Sequence, residues 1–126
     1  MLKTIDLIEQ FSKFDECWLP HLIGEVNDCA VKVAKLHGEF EWHSHAKEDE
    51  LFLVVKGSLT IRLRGSQADE LVLNEGQLGI VPRGVEHQPV AENEAWVLLF
   101  EPKGTVNTGE NETSDRTRKD LPKLTQ

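Results

Sequence analysis

The sequence predicts an all-β fold, either a sandwich or a barrel. Short apolar segments recur at intervals of about eight to twelve residues, turn-forming Gly, Pro, Asn and Asp separate them, and no long stretch shows a helical period. The predicted strands cover residues 22–26, 30–37, 51–55, 58–64, 70–73, 78–81, 85–90 and 95–100. Ser58–Arg64 gives the clearest strand signal, because Leu59, Ile61 and Leu63 alternate there with polar residues.

Composition limits the class of protein. A chain of 126 residues is long enough for one domain whose core needs neither disulfides nor a structural metal. The formal net charge of −8 argues against nucleic acid and anionic membranes as partners, since both require a basic surface. Apolar runs fall far short of the ~20 residues of a membrane span and no leader-like segment is visible, so we expect a cytoplasmic protein. Cys17 and Cys29 lack the C-x-x-C spacing and are expected to be reduced thiols.

Two segments flank the predicted barrel. Residues 1–20 have only a weak apolar pattern, and we interpret them as an extended or partly helical arm that lies on the body. After Pro102 the composition becomes polar and contains too few large apolar side chains to fold independently. The predicted organisation is therefore a barrel with an N-terminal arm over residues 1–102, followed by a partly ordered or disordered polar tail over residues 103–126.

The stretch from residue 38 to residue 57 carries the most unusual chemistry. His43 and His45 are two positions apart, so on an extended strand both imidazoles face the same side, roughly 6–7 Å apart. Glu50 follows a polar tip that can turn the chain back and bring its carboxylate toward these rings. His87 closes a second segment rich in turn residues and is the natural fourth ligand. A lone H-x-H is more often incidental, but the combination of these four residues predicts a metal site.

This ligand set also indicates which chemistry is available. Three neutral imidazoles and one carboxylate suit a divalent transition metal ion such as Fe, Mn, Ni, Zn or Cu, and an octahedral shell would leave two positions open. One carboxylate against a divalent cation leaves net positive charge, which attracts an anionic or hydroxyl-bearing ligand. Glu50 has a second possible role, since it could stay free of the metal and act as a catalytic general base.

The spacing of these residues resembles the two motifs of the cupin superfamily, particularly its small single-domain bacterial members, which include proteins similar to mannose-6-phosphate isomerase. The resemblance covers residues 30–101 and implies a double-stranded β-helix, a jelly-roll barrel with the metal inside its mouth. The last Asn of the second motif is replaced by Ala91, which leaves the ligands intact. The matching residues are Gly38, His43, His45, Glu50 and Gly57 in motif one, and Gly76, Pro82, Gly84 and His87 in motif two.

The resemblance implies a metal-dependent enzyme that acts on a small polar molecule, of the oxygenase, isomerase or epimerase, or lyase type. The alternative is a non-catalytic module that binds or senses a small molecule and holds a metal. A barrel with a vestigial metal is a third, weaker interpretation. Because an exposed strand edge needs covering, we also expect a homodimer.

Several residues outside the ligand set receive less specific interpretations. Phe52 has the parity of Glu50 and could line a pocket, as could Trp42 and Trp96, for which ordinary packing is an equal alternative. In the strand predicted for residues 30–37 both faces mix apolar and charged side chains, so neither face can be assigned to the core. His21 and His37 are interpreted as surface or turn histidines. Three basic residues could each hold a substrate carboxylate or phosphate but are interpreted as solvated surface charges, namely Lys35, Arg62 and Arg83.

Overall fold

A computed structural model describes residues 2–124, in which seven antiparallel strands and one five-residue helix form a double-stranded β-helix. The predicted fold class is confirmed. Among these residues no helix is long and apolar enough to cross a membrane. The elements in chain order are α1 (Leu7–Phe11), β1 (His21–Val26), β2 (Cys29–Glu39), β3 (Glu50–Lys56), β4 (Ser58–Arg64), β5 (Glu70–Asn74), β6 (Leu78–Val81) and β7 (Glu86–Pro102).

Strand β7 organises the sheet. One edge of β7 pairs with β2 over nearly its whole length, and the other edge pairs first with β4 through residues 86–90 and then with β3 through residues 96–100. The sequence predicted two separate strands here, and that prediction is wrong. Residues 91–95 stay in the strand and form its bend, where the register with β2 shifts between Leu36 and Gly38.

The turn between β3 and β4 fits closely under this bend. Gly57 has a φ of +86°, a conformation that side chains other than glycine rarely adopt, and a Cβ at this position would lie 3.0 Å from the Glu94 carbonyl oxygen. Glycine is therefore required where β7 passes from one neighbouring strand to the other.

Both faces of β2 are buried, which explains its mixed sequence pattern. Ala34 and Leu36 face the barrel interior and pack in the main core with Val97 and Leu99 of β7. On the opposite face Val33 is covered by the N-terminal arm, through Phe11 of α1. A strand covered on two sides shows no simple alternation of apolar and polar residues.

The N-terminal arm, residues 1–20, buries two residues that were predicted from the sequence to lie at the surface. Lys35 is 7% exposed, donates a hydrogen bond from Nζ to the Phe14 carbonyl at 2.7 Å and lies over the Trp96 ring. His21 is 6% exposed, and its ring stacks on Phe14 with 3.9 Å between the ring centroids. Both surface predictions are therefore wrong, because aromatic side chains of the arm cover these positions.

The other three surface predictions are confirmed. His37, Arg62 and Arg83 are exposed. The Arg62 guanidinium pairs with Glu39 at 2.8 Å, and that of Arg83 pairs with Asp49 at 3.2 Å. Exposed ion pairs of this kind contribute at most about 1 kcal/mol of stability each.

Candidate metal centre

The four residues predicted as ligands come from three places in the fold. His43 lies in the loop of residues 40–49 and forms a β-bridge with His87 of β7, in which each backbone N–H donates to the other residue's carbonyl, at 3.0 and 2.8 Å. His45 lies two residues further along the same loop, and Glu50 is the first residue of β3. The bridge holds the rings of His43 and His87 with their centroids 4.3 Å apart.

The structure brings these side chains together in one cluster, which we call the His/Glu cluster: His43, His45, Glu50 and His87. One potential ligand atom of each residue lies within 4.8 Å of those of the other three, and all four residues are buried. The Oε1 atom of Glu50 is 3.3 Å from Nε2 of His87 and 3.5 Å from Nε2 of His45. The cluster therefore has the size expected of a shared coordination sphere.

Backbone carbonyls determine which nitrogen of two rings is available. Nδ1 of His43 lies 2.9 Å from the Glu41 carbonyl oxygen, and Nδ1 of His87 lies 2.9 Å from the Val85 carbonyl oxygen. Because a carbonyl can only accept, each Nδ1 carries the hydrogen and each Nε2 has a free lone pair. This arrangement is typical of histidines that bind a metal through Nε2.

Several polar atoms of the cluster are buried without a hydrogen-bond partner among residues 2–124. They are both ring nitrogens of His45, Nε2 of His87 and Oε1 of Glu50. Each such atom costs about 1–3 kcal/mol when it is left unsatisfied. A divalent cation bound among them would satisfy the lone pairs on one nitrogen of each ring and on the carboxylate, so the residues fit a metal ion.

Protonation in the cluster is set by burial and by the neighbouring side chains. Burial, followed by the nearby His87, lowers the pKa of His43 to about 4. Burial opposes the charge of Glu50, but His45 and His87 outweigh it and hold the pKa of Glu50 well below its usual value. Burial also acts to lower the pKa of His45, yet the carboxylates of Glu50 and Glu48 raise it overall. Near neutral pH His43 is thus uncharged and Glu50 ionised, as ligands must be.

His43 and Glu50 also border a cavity that is mainly apolar. Phe52 lines it, which confirms the prediction from strand parity. Trp42 and Trp96 lie elsewhere: Trp42 packs under the Arg64 guanidinium, and Trp96 stacks on Phe11 outside the barrel. The other lining residues are Trp18, Pro20, Ala34, Leu36, Phe40, Pro89, Leu99, Glu101 and Asn107.

Sequence reasoning missed the polar lining residues Glu101 and Asn107. A signal existed for Glu101, because Val97 and Leu99 face the interior and position 101 continues that period of two. Asn107 follows the last strand and gave no local signal. It reaches the cavity because the C-terminal segment, residues 103–124, folds back over this end of the barrel.

The C-terminal segment holds the loop that carries His43 and His45. The backbone N–H of Glu110 donates to the Ser44 carbonyl at 3.0 Å, and Oε1 of Glu110 accepts from the Ala46 N–H at 2.8 Å. Gly109 has a φ of +57°, and a Cβ there would overlap the Ser44 carbonyl. The segment thus makes backbone contact with the residues that adjoin both histidines.

Glu41 joins the C-terminal segment to the cluster. Its side chain accepts hydrogen bonds from Ser114 and from Asn111, the latter at 2.9 Å. Its carbonyl oxygen accepts the hydrogen bond from Nδ1 of His43. One residue therefore contacts both the segment and a predicted ligand.

The fold and this cluster together define a class, namely small double-stranded β-helix proteins with a buried three-histidine, one-glutamate site. The family described as "Cupin domain" matches residues 31–101, and the chain belongs to that family.

Three relatives illustrate the match. The uncharacterised protein YdbB of Bacillus subtilis (strain 168) is 39% identical over 66 residues, which cover 52% of this chain and 57% of that protein, so the chain spans little more than half of this relative. A cupin-2 domain protein of Shewanella frigidimarina NCIMB 400 is 39% identical, with a TM-score of 0.74 and coverage of 79% of this chain and 94% of that one. Hydroquinone 1,2-dioxygenase of Sphingomonas sp. TTNP3, solved with 4-hydroxybenzoate bound, shares the fold with a TM-score of 0.67 at 18% identity. This match covers 79% of this chain and 73% of that one.

Proposed function

We propose that the protein is a metal-dependent enzyme of the cupin family that acts on a small molecule. His43, His45, Glu50 and His87 hold one divalent transition metal ion, with Fe, Mn, Ni, Zn and Cu all compatible with the donor set. The observation that carries the proposal is the group of buried nitrogen and oxygen atoms in the His/Glu cluster that have no hydrogen-bond partner among the described residues. Uncompensated burial of so many polar atoms is costly unless a cation is bound.

A bound metal of this kind acts as a Lewis acid toward a substrate oxygen or activates dioxygen. The chain's own residues provide the surroundings. The Glu41 and Val85 carbonyls fix the rings of His43 and His87, and the apolar walls of the cavity exclude water from the reacting group. Reaction types of the oxygenase, isomerase or epimerase, and lyase classes are all consistent with such a site.

We assign Glu50 to the metal rather than to a separate role as general base. Its Oε1 atom is close to Nε2 of both His45 and His87, and its pKa is held low, so the carboxylate is ionised and directed at the same point as the rings. A general base would need its lone pair directed at substrate.

The cavity favours a substrate with an apolar body and at least one oxygen atom. Aromatic and aliphatic side chains such as Phe40, Phe52 and Leu36 make up most of its wall, and polar groups are few. The dioxygenase that shares this fold was solved with 4-hydroxybenzoate, a compound of this character. We therefore extend the predicted small polar substrate to one that also carries apolar surface.

The test is anaerobic purification followed by elemental analysis and turnover assays. Iron at about one ion per chain, with oxygen uptake in the presence of phenols or small hydroxy acids, would support an oxygenase. Tightly bound zinc or nickel without turnover on sugars, enols and phenols would support the alternative, a non-catalytic binding or sensing module. Metal-free protein that gains no metal on incubation with any of the five ions would contradict the proposal.

We further propose that the protein is a cytoplasmic homodimer. Strand β6 ends the ladder of paired strands, and its Leu78 and Ile80 side chains are 55% and 56% exposed. Val72 of neighbouring β5 is also exposed, so apolar surface surrounds an open strand edge. Sedimentation should give twice the chain mass at micromolar concentration, and a monomer would contradict this proposal.

A further inference from the structure

The three histidines of the His/Glu cluster differ in how the Nδ1 atom of each ring is held. Nδ1 of His43 and Nδ1 of His87 each lie 2.9 Å from a backbone carbonyl oxygen, whereas Nδ1 of His45 is buried without a hydrogen-bond partner among residues 2–124. A histidine that binds a metal through one nitrogen almost always donates the hydrogen of the other to a carboxylate, a carbonyl or water. The ring of His45 therefore needs an acceptor that the other two rings already have.

The orientation of the His45 ring shows which nitrogen needs this acceptor. Nε2 of His45 is 3.5 Å from Oε1 of Glu50, so it is the nitrogen that faces the other potential ligands. Nδ1 of His45 is 3.8 Å from Oε1 of Glu48. When Nε2 provides its lone pair to a metal, Nδ1 carries the hydrogen and can only donate. The acceptor must then lie on the side of the ring where Glu48 is found.

Glu48 is placed to be that acceptor. It lies three residues after His45 in the same loop, and its side chain is 28% exposed. The separation of 3.8 Å is about 1 Å longer than a charge-assisted N–H···O⁻ hydrogen bond of roughly 2.7–2.9 Å. Because a partly exposed side chain rotates readily, a torsional change in Glu48 can close this gap without movement of the backbone.

The backbone around His45 is already held, so the freedom that remains lies in the ring. The His45 carbonyl accepts a hydrogen bond from the Gly84 N–H at 2.8 Å, and the Ala46 N–H donates to Glu110 at 2.8 Å. Neither contact involves the imidazole. A hydrogen bond from Nδ1 would restrict rotation of the ring about its side-chain bonds and keep Nε2 directed at the other ligands.

We propose that Glu48 is the positioning residue of His45: its carboxylate accepts the hydrogen bond from Nδ1–H and fixes the ring with Nε2 directed at the metal. This inference rests on the proposed function. It adds a fifth side chain to the candidate site, and this carboxylate does for His45 what backbone carbonyls do for the other two histidines. Such a partner also makes the ring a more basic ligand.

The experiment observes the Nδ1 hydrogen directly. In protein loaded with Co²⁺, the N–H hydrogens of metal-bound imidazoles give hyperfine-shifted proton NMR signals that disappear in deuterated water. We expect three such signals from the unmodified protein, one for each histidine of the cluster, because a hydrogen bond slows exchange with water. In Glu48→Ala one of the three should be lost through fast exchange, and cobalt affinity measured by chelator competition should fall about 10–100-fold.

Two further variants separate positioning from charge. Glu48→Gln removes the charge but keeps an oxygen that accepts a hydrogen bond, so all three signals should persist and affinity should fall less than in Glu48→Ala. Glu112→Ala removes an exposed carboxylate that lines the same surface groove as Glu48, and it should keep the three signals and the unmodified affinity. The metal-free variants should all melt close to the unmodified protein, because partly or fully exposed charges contribute little to stability.

Four results would overturn the inference. One or two signals from the unmodified protein would mean that His45 has no such acceptor, and three persistent signals in Glu48→Ala would mean that the acceptor is another group. An equal fall in affinity for Glu48→Ala and Glu112→Ala would indicate an effect of charge alone. A large decrease in the Tm of metal-free Glu48→Ala would indicate a structural role. The proposed function fails in a different way, through an unmodified protein that binds no cobalt or gives no imidazole signal.

Discussion

The barrel and the C-terminal segment contribute to the candidate metal centre in different ways. Residues 31–101, which match the family, supply all four potential ligands. Residues 103–124 supply none of them, yet two hydrogen bonds with Glu110, one donated and one accepted, hold the backbone on both sides of His45. The barrel thus supplies the potential ligands. The position of the loop that carries two of them also depends on a segment outside the family match. The predictions below test this division, beginning with the largest expected effect.

His45→Ala should remove most of the bound metal. Within residues 2–124 both ring nitrogens of His45 are buried without a hydrogen-bond partner, so a metal ion is the partner that the ring needs. The loss of affinity should exceed the roughly 10–100-fold that substitution of an outer-shell partner causes. Metal per chain is measured by elemental analysis, and far-UV circular dichroism should retain the β signal. The matched control is His37→Ala, an exposed histidine, which should bind metal normally. Full metal content in His45→Ala would contradict the assigned ligand set.

Gly109→Ala should weaken metal binding about tenfold, the effect expected of a change just outside the ligands. A Cβ at position 109 would overlap the Ser44 carbonyl and force the C-terminal segment or the loop to move. Gly104→Ala is the control, because φ is +82° there and no atom lies within 4 Å of the added Cβ. Both variants should lose about 1–2 kcal/mol of stability through backbone strain. Metal affinity measured by chelator competition should fall only for Gly109→Ala, and equal affinities would mean that the segment does not position the loop.

Metal affinity should fall as the pH is lowered from 8 to 6, by up to about tenfold per pH unit, because one proton competes with the metal for the same nitrogen. His45 is the residue responsible, because its pKa is raised and it binds a proton in the metal-free protein, whereas His43, with a pKa of about 4, does not. The pKa of His45 is higher in the folded, metal-free protein than in the unfolded chain, where it is about 6.5. Protonation of His45 therefore stabilises the metal-free fold fully at pH values below the unfolded pKa. This stabilisation is lost as the pH rises through the pKa of His45 in the folded protein. Chelator competition across this range measures the slope, and a pH-independent affinity would contradict the prediction.

Arg116→Ala should have the smallest effect. Nη1 of Arg116 donates to the Glu39 carbonyl at 3.0 Å, and its guanidinium lies over the rings of Phe40 and Trp18. Removing one partly exposed contact of this type should cost about 0.5–1 kcal/mol of stability, read as a small decrease in Tm. Arg118→Ala is the control, since Nη1 of Arg118 donates to the Asp115 and Thr117 carbonyls, which belong to its own segment. Metal content should be unchanged in both, and loss of metal in Arg116→Ala would show that the segment does more than cover the site.

The fold and the four clustered residues could be predicted because their signals are local or chemical. Strand alternation such as that of Ser58–Arg64 depends only on the period of two, and the rarity of the H-x-H, Glu and His combination identifies the site residues before any contact is known. Glu101 was missed although it continues the inward period of β7, because Pro102 beside it was taken as the boundary of the strand.

Other features had no local signal. Burial of His21 and Lys35 depends on aromatic residues of the arm that dock against them from a distant part of the sequence. The bend of β7 arises from the shifted register with β2 and from the tight fit of Gly57, which are properties of the assembled sheet. Long-range packing of this kind overrides the turn-like composition of residues 92–94.

The three hydrogen bonds that meet at Glu41 have a spectroscopic consequence. Its side chain accepts hydrogen bonds from Ser114 and Asn111, while its carbonyl orients the imidazole of His43, so a displacement of residues 111–114 would rotate a potential metal ligand. In a cobalt derivative such a rotation alters the ligand field. The d–d absorption bands would then serve as an optical reporter of where residues 111–114 lie, with no label attached to them.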